Sequence, residues 1–208
     1  MDDVGNFKSC IFQRLKINSF SLSKVSYKWS KDDKGELIEI EGPSQLKFIG
    51  TEKRHNLART TKPISKYSSS FYFEATIINS GDDGEIAIGL TKANPNTRSG
   101  YLPGWRSNPT LGIGYHGDDG GIFHESNKAI EHGEKYTTKD VVGCYLCRTR
   151  MSDEEIILVQ FTKNGNKTLT PRIISNDEWY PTIGIGSPGA IVDTNFSING
   201  FTFDVKGM

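Results

Sequence analysis

Phe71-Tyr72-Phe73-Glu74-Ala75-Thr76-Ile77-Ile78 is the stretch from which the architecture can be read. Phe71, Phe73, Ala75 and Ile77 fall on one side of an extended backbone, and Tyr72, Glu74 and Thr76 on the other. Strand side chains alternate between faces, so this is a strand with one face buried. The turn Asn79-Ser80-Gly81-Asp82-Asp83-Gly84 follows, and Ile86, Ile88 and Leu90 resume the alternation. The pair predicts a hairpin with a longer loop.

The same period recurs outward in both directions. Upstream, residues 37–40 and 46–49 are short strand candidates on either side of Gly42-Pro43, whereas residues 1–24 carry no clear period. Residues 92–112 form a long Pro/Gly-rich segment around Tyr101, Leu102 and Trp105, and a loop of that length in a compact domain is often functional. Downstream, residues 113–116 and 122–124 flank the turn Asp118-Asp119-Gly120-Gly121 as a second hairpin. Residues 141–147 and 156–162 are strands separated by a polar loop, 148–155. Asn164-Gly165 between Phe161 and Leu169 predicts a tight type I′ hairpin, because both residues tolerate positive φ. Residues 179–185 and 191–196 flank the turn Ser187-Pro188-Gly189, and Phe201-Thr202-Phe203 reads as a last edge strand. No segment sustains a helical period. The expected fold is all-β: one two-sheet antiparallel β-sandwich with long loops at one end. Residues 1–58 form an N-terminal extension and flanking strands packed on a core of 59–208.

Composition narrows the function classes. Among 208 residues, 25 Lys and Arg balance 25 Asp and Glu, and the pI is near 6.9. A chain without a basic excess does not read as a nucleic-acid binder. Local basicity at Lys53, Arg54, Arg59, Lys62 and Lys66 reads as a partner-facing surface or a solvated strand edge. Three cysteines, Cys10, Cys144 and Cys147, do not make a disulfide framework and suit a reducing compartment. The first thirty residues lack signal-peptide features and no apolar run is long enough to cross a bilayer. The expectation is a soluble monomer of the cytosol, or of cytosol and nucleus.

Candidate chemistry is sparse. Cys144 and Cys147 have the spacing of a redox or zinc pair, but positions three apart in a strand point to opposite faces. Cys144 shares its row with Val142 and Leu146 and reads as a buried thiol. Asp118 and Asp119, with His116 and His124 nearby, invite a metal reading; adjacent aspartates in a turn more often bond their own backbone, and no metal is expected. The four histidines lie in unrelated contexts, and no nucleophile elbow, phosphate-binding loop or dinucleotide fingerprint is present, so no enzyme and no cofactor are expected.

An ordered series of motifs adds to this. Arg59-Thr60-Thr61-Lys62-Pro63-Ile64, Tyr72-Phe73-Glu74 and Gly84-Glu85-Ile86-Ala87-Ile88-Gly89-Leu90 are followed by Leu102-Pro103-Gly104-Trp105 and Gly114-Tyr115-His116-Gly117-Asp118-Asp119-Gly120. Asp140-Val141-Val142-Gly143-Cys144, Phe161-Thr162-Lys163-Asn164-Gly165, Trp179-Tyr180-Pro181-Thr182-Ile183-Gly184 and Pro188-Gly189-Ala190-Ile191-Val192 complete it. Residues 59–205 so arranged resemble a SPRY domain of the kind carried by Ran-binding protein M and its relatives. The resemblance implies a twisted sandwich whose end loops bind a protein or peptide, without cofactor or catalysis. Carried over residue by residue, it implies a binding surface of Arg59, Pro63, Tyr101, Leu102, Ser187, Pro188 and Gly189. Trp105 is a further anchor candidate, or a plug for one end of the sandwich. Arg59 would fork onto a partner carboxylate or carbonyl, so reversing its charge or truncating Tyr101 should abolish binding without changing the melting temperature. The alternative is a lectin-like or glycan-processing sandwich, since exposed aromatics on β folds also serve sugars.

Overall fold

The computed structural model describes residues 26–92, 100–105, 112–151 and 154–205. Residues 1–25, with Cys10, lie outside the described residues, as do Pro95 and Pro109 of the long loop. The strands are β1 Trp29–Lys34, β2 Ile38–Glu41, β3 Gln45–Phe48, β4 Asn56–Thr60, β5 Ser70–Asn79, β6 Ile86–Thr91 and β7 Gly112–His116. They continue as β8 Gly121–His124, β9 Glu131–His132, β10 Val141–Met151, β11 Glu154–Lys163, β12 Asn166–Ile174, β13 Tyr180–Ile185 and β14 Ile191–Asn195. Sheet 1 has the order β1-β4-β13-β6-β7-β8-β9 and sheet 2 the order β12-β11-β10-β5-β14-β3-β2. All pairings are antiparallel, as in the two-sheet sandwich expected from the alternation.

Apolar rows from the two sheets meet in one core. Phe73, Ala75, Ile77, Val142, Cys144, Leu146, Val159 and Phe161 come from sheet 2, facing Ala58, Ile86, Ile88, Leu90, Ile113, Tyr115, Ile183 and Ile185 from sheet 1. Trp179, fully buried just before β13, joins the same cluster and donates its indole N–H to Ser175 O at 2.9 Å. β1, β2 and β3 pair into these sheets, so residues 26–58 are built into both layers.

Three local expectations are corrected. β5 and β6 are not a hairpin: β5 lies in sheet 2 between β10 and β14, and β6 in sheet 1 between β13 and β7. The chain crosses from layer to layer over 80–85, and both strands turn their apolar rows to the shared core. A hairpin and a layer crossing demand the same alternation, which is why the pattern could not separate them. Residues 148–151 and 154–155 are not polar loop but the ends of β10 and β11. The β10–β11 ladder runs through Arg148↔Ile157 to Met151↔Glu154, whereas pairing of β10 with β5 stops at Cys147↔Ser70. Beyond that point Ile157 still reaches the core, but Arg148 to Met151 and Glu154 to Ile156 are partly or fully exposed, and polar side chains suit most of them. Phe201-Thr202-Phe203 is not an edge strand; it crosses the outer face of sheet 2 as irregular chain.

Two expectations are met in detail. Asn164 and Gly165 have φ of 49° and 77°, and Lys163↔Asn166 closes the β11–β12 hairpin around them. The two cysteines diverge, Cys144 into the core and Cys147 to the outer face with Tyr72 and Tyr145.

Candidate functional site

β4, β6 and β13 are neighbours in sheet 1, and the turns and loops that leave them carry the expected surface residues. Register decides which of these can meet. Arg59 pairs with Thr182, and Asn56 with Ile185. Ser187 therefore lies five residues beyond the partner of Arg59, roughly 15 Å along the sheet. Arg59 and Pro63 sit at one end of sheet 1, and Ser187, Pro188 and Gly189 at the other.

Arg59 is fully buried despite its charge. Its Nη1 lies 2.8 Å from Asp33 Oδ1, and its Nε donates to Thr91 Oγ1 at 2.8 Å. The Thr91 hydroxyl also shares a 2.8 Å hydrogen bond with Thr182 Oγ1. A buried charge persists when paired and hydrogen-bonded, and this one is both. The fork expected to reach a partner is occupied within the chain. Reversing its charge would place an anion beside Asp33, so lost binding in such a variant would report damage to sheet 1. Pro63, half-buried, stays near this end, where its carbonyl accepts a 3.4 Å bond from Tyr27 Oη.

The second end gathers more. Gly100 N donates to His55 O at 2.6 Å, which brings the 100–105 segment to the start of β4. Leu102 is buried and, with Pro103, lies on Gly184 of β13, where a Cβ would stand 2.8 Å from Leu102 Cδ2 and 2.6 Å from Pro103 Cδ. Gly104, at φ +78°, comes so close to β8 that a Cβ would sit 2.0 Å from Phe123 O. His116 of β7 fixes the same segment: its Nε2–H donates to Pro103 O at 2.8 Å, and its ring lies 4.3 Å from that of Phe123. Burial holds the His116 imidazole down to about 4, against the Pro103 carbonyl, which favours the charged form. The segment is thus pressed onto the sheet, leaving Tyr101 and Trp105 half-buried at the surface.

Trp105 meets His55 edge to face at 5.0 Å and 88°. It is neither a buried plug nor a free-standing anchor. His55 Nε2 lies 2.7 Å from Glu85 Oε2, and Lys53 Nζ lies 2.5 Å from Glu85 Oε1, a hydrogen bond that raises the lysine above its ordinary range. Glu85 O accepts from Gly186 N at 2.8 Å, and Arg54 N donates to Gly186 O at 3.2 Å. Ser187 is buried, its Oγ accepting Asp83 N at 2.8 Å, while Pro188 O accepts Asp82 N at 3.1 Å. Pro188 is half-buried and Gly189 exposed. Four chain segments, 53–55, 81–85, 100–105 and 186–189, are therefore laced into one rigid end. A shallow depression of about 350 Å³ lined by Leu37, Ile49, Gly50, Thr51, Glu52, Lys53 and Arg54 lies beside it.

The sequence missed His55 and Glu85, the pair around which these segments are tied. Glu85 stands in the 84–90 motif but is not singled out by it, and His55 stands in none; their 2.7 Å approach follows from the pairing of β4 and β6 on either side of β13. Asp119 Oδ1 accepts Gly121 N at 2.7 Å, the backbone role expected of a turn aspartate, and burial with the Asp119 and Glu85 charges raises the neighbouring Asp118 carboxyl. Among the described residues, no three His, Cys, Asp or Glu side chains are placed to hold a metal ion. No helix among them is long and apolar enough to cross a membrane.

Comparison with known proteins finds relatives along most of the chain. The SPRY domain family profile matches residues 70–199. Ran-binding protein 10 of Danio rerio is 35% identical over 182 residues, covering 86% of this chain and 28% of that protein. Ran-binding protein 9 of Xenopus laevis is likewise 35% identical over 182 residues, covering 86% of this chain and 31% of its own length. The chain thus spans about a third or less of these relatives. A crystal structure of a human SPRY domain superposes with a TM-score of 0.66 at 26% identity, covering 79% of this chain and 98% of that one. The SPRY domain of human HERC1, at 14% identity and a TM-score of 0.58, shares the fold, covering 82% of this chain and 98% of its own.

Proposed function

The chain belongs to the SPRY domain family, and from that premise we propose that it is a protein-interaction module whose recognition surface is the laced end of sheet 1. The ligand would be a short peptide or loop of a partner protein, in an adaptor or scaffold role. The observation that carries this is the fixing of Tyr101 and Trp105 by buried neighbours. Leu102 and Pro103 are sunk onto Gly184, and His116 holds Pro103 O. Aromatic side chains held in place lose little entropy on binding and dominate interface energetics. Pro188 and the exposed Gly189 stand on the neighbouring turn, where a glycine lets a partner backbone come close. The matched relatives are named as Ran-binding proteins.

Of the residues singled out from the sequence, Tyr101, Trp105, Pro188 and Gly189 are the proposed contacts. Leu102 and Ser187 would support them from beneath, and Arg59 would stabilise the sheet that carries them.

The test is a paired pull-down read by quantitative mass spectrometry, wild type against Tyr101→Ala, with a thermal melt of each. A buried interface tyrosine typically costs ~2 kcal/mol or more when truncated, about thirtyfold in affinity. We expect a discrete set of partners to be lost from the variant with the melting temperature unchanged. Equal recovery of every partner by both proteins would reject this surface.

A further inference from the structure

A second surface, independent of the laced end, is built on the outer face of sheet 2. There Tyr72 and Tyr145 stand on adjacent strands with Cys147, and residues 198–205 lie across them. Phe203 and Val205 are 7% and 4% exposed. The Tyr72 ring meets Phe201 edge to face at 4.8 Å and Phe203 at 5.4 Å. The crossing segment is irregular and takes no place in the strand ladders. Its backbone is instead received by one carboxylate. Glu74 Oε1 accepts Phe203 N at 2.8 Å, and Glu74 Oε2 accepts Thr202 N at 2.9 Å. Tyr72 Oη also donates to Glu74 Oε1 at 2.8 Å and shares a 2.8 Å bond with Thr162 Oγ1. Gly143 lies beneath: a Cβ there would stand 2.1 Å from Tyr72 Oη.

Each part fits the reception of a peptide. A carboxylate 3% exposed, which takes two consecutive backbone N–H groups, recognises a bent backbone whatever its side chains, because only at a bend such as Thr202-Phe203 do successive N–H groups point the same way. The tyrosines and Cys147 supply apolar contacts for alternate residues, here Phe201, Phe203 and Val205. Gly143 leaves the space that lets the hydroxyl pair sit under the carboxylate.

We propose that this face is a binding site for an apolar-x-apolar peptide bent at its centre, occupied here by the chain's own residues 198–205 as an intramolecular ligand. When that segment lifts, Cys147 is uncovered and Cys144 stays sealed between the sheets, so the two thiols report local and global opening separately.

The test uses the full chain, labelled with N-ethylmaleimide and read by peptide mapping so that Cys10 is counted apart. Glu74→Gln replaces one acceptor oxygen with an amide that faces a backbone N–H. Loss of a charge-assisted hydrogen bond predicts Cys147 labelling faster by about ten- to a hundredfold, with Cys144 unchanged. Thr202→Pro deletes a single donor, touches no apolar contact, and should act in the same direction. Free peptide of residues 198–205 at millimolar concentration should then restore protection of Cys147 in Phe203→Ala, and fail to do so once Glu74→Gln is added. Cys147 labelling at the wild-type rate in both single variants would overturn the proposal. So would labelling of Cys144 in step with Cys147, which would mean that the segment does not separate from the fold, or a peptide that never protects.

Discussion

His116 and Arg59 are both polar, both buried, and both invisible as such in the sequence. His116 alternates with Tyr115 in a short β-pattern and could have faced either way; in the structure it is 3% exposed and gives its Nε2–H to Pro103 O. That placement predicts a pH dependence. Folded His116 titrates near 4, below its ordinary 6.5, so the native state favours the neutral ring. Its contribution is fully present above about 6.5, where both states are neutral. It is lost as pH falls from there towards 4, because the unfolded state takes the proton first. At 1.4 kcal/mol per pH unit the loss approaches ~3 kcal/mol. Urea midpoints measured from pH 7 to 4 should fall for the wild type and fall less for His116→Gln, which keeps a donor but cannot titrate. Parallel curves would show that His116 does not couple to folding. Arg59 carries the complementary lesson: a basic residue in a Thr/Lys/Pro-rich stretch looks like surface, yet its fork satisfies Asp33 and Thr91. Only the position of β1 beside β4 brings Asp33 within reach.

Among elements, those defined by neighbours in sequence were legible and those defined by neighbours in space were not. The Asn164-Gly165 hairpin and the strand nature of 71–78 rest on local φ preference and period-two alternation, and both stand as read. The β5–β6 crossing and the 198–205 segment depend on which surface lies opposite, which alternation does not encode. The 100–105 segment is a mixed case. Its Pro and Gly content marked it as a loop, but that it lies flat on sheet 1 follows from glycines on both sides of the contact. Gly104 is the sharpest instance: its φ is +78° and a Cβ would stand 2.0 Å from Phe123 O. Gly104→Ala should cost ~2–4 kcal/mol through backbone strain and overpacking combined. It should also lift the segment, so acrylamide would quench Trp105 more strongly than in the wild type. An unchanged melt and unchanged quenching would mean that the close approach is not real.

Over the described residues, most contacts join distant parts of the chain. Trp29 Nε1 donates to Thr194 Oγ1 at 2.9 Å across 165 residues, and β14 is held between β3 and β5. Such topology requires long loops to close before the contacts reward them, so folding should be slow, in the range of about milliseconds to seconds or longer. Stopped-flow refolding followed by tryptophan fluorescence should resolve the main phase; completion within the dead time would contradict it. The sequence by itself determined the alternation, the turns, and the apolar rows that must be buried on one side of each strand, and so an all-β sandwich of this family. Tertiary structure alone decided which strands share a sheet, that Arg59 faces inward, and that His55 and Glu85 tie four segments into one end. It also decided that residues 198–205 cover Tyr72. The physical reason is that a strand's period names its buried face from bonded neighbours, whereas its partner is chosen by packing and register between residues far apart in the chain.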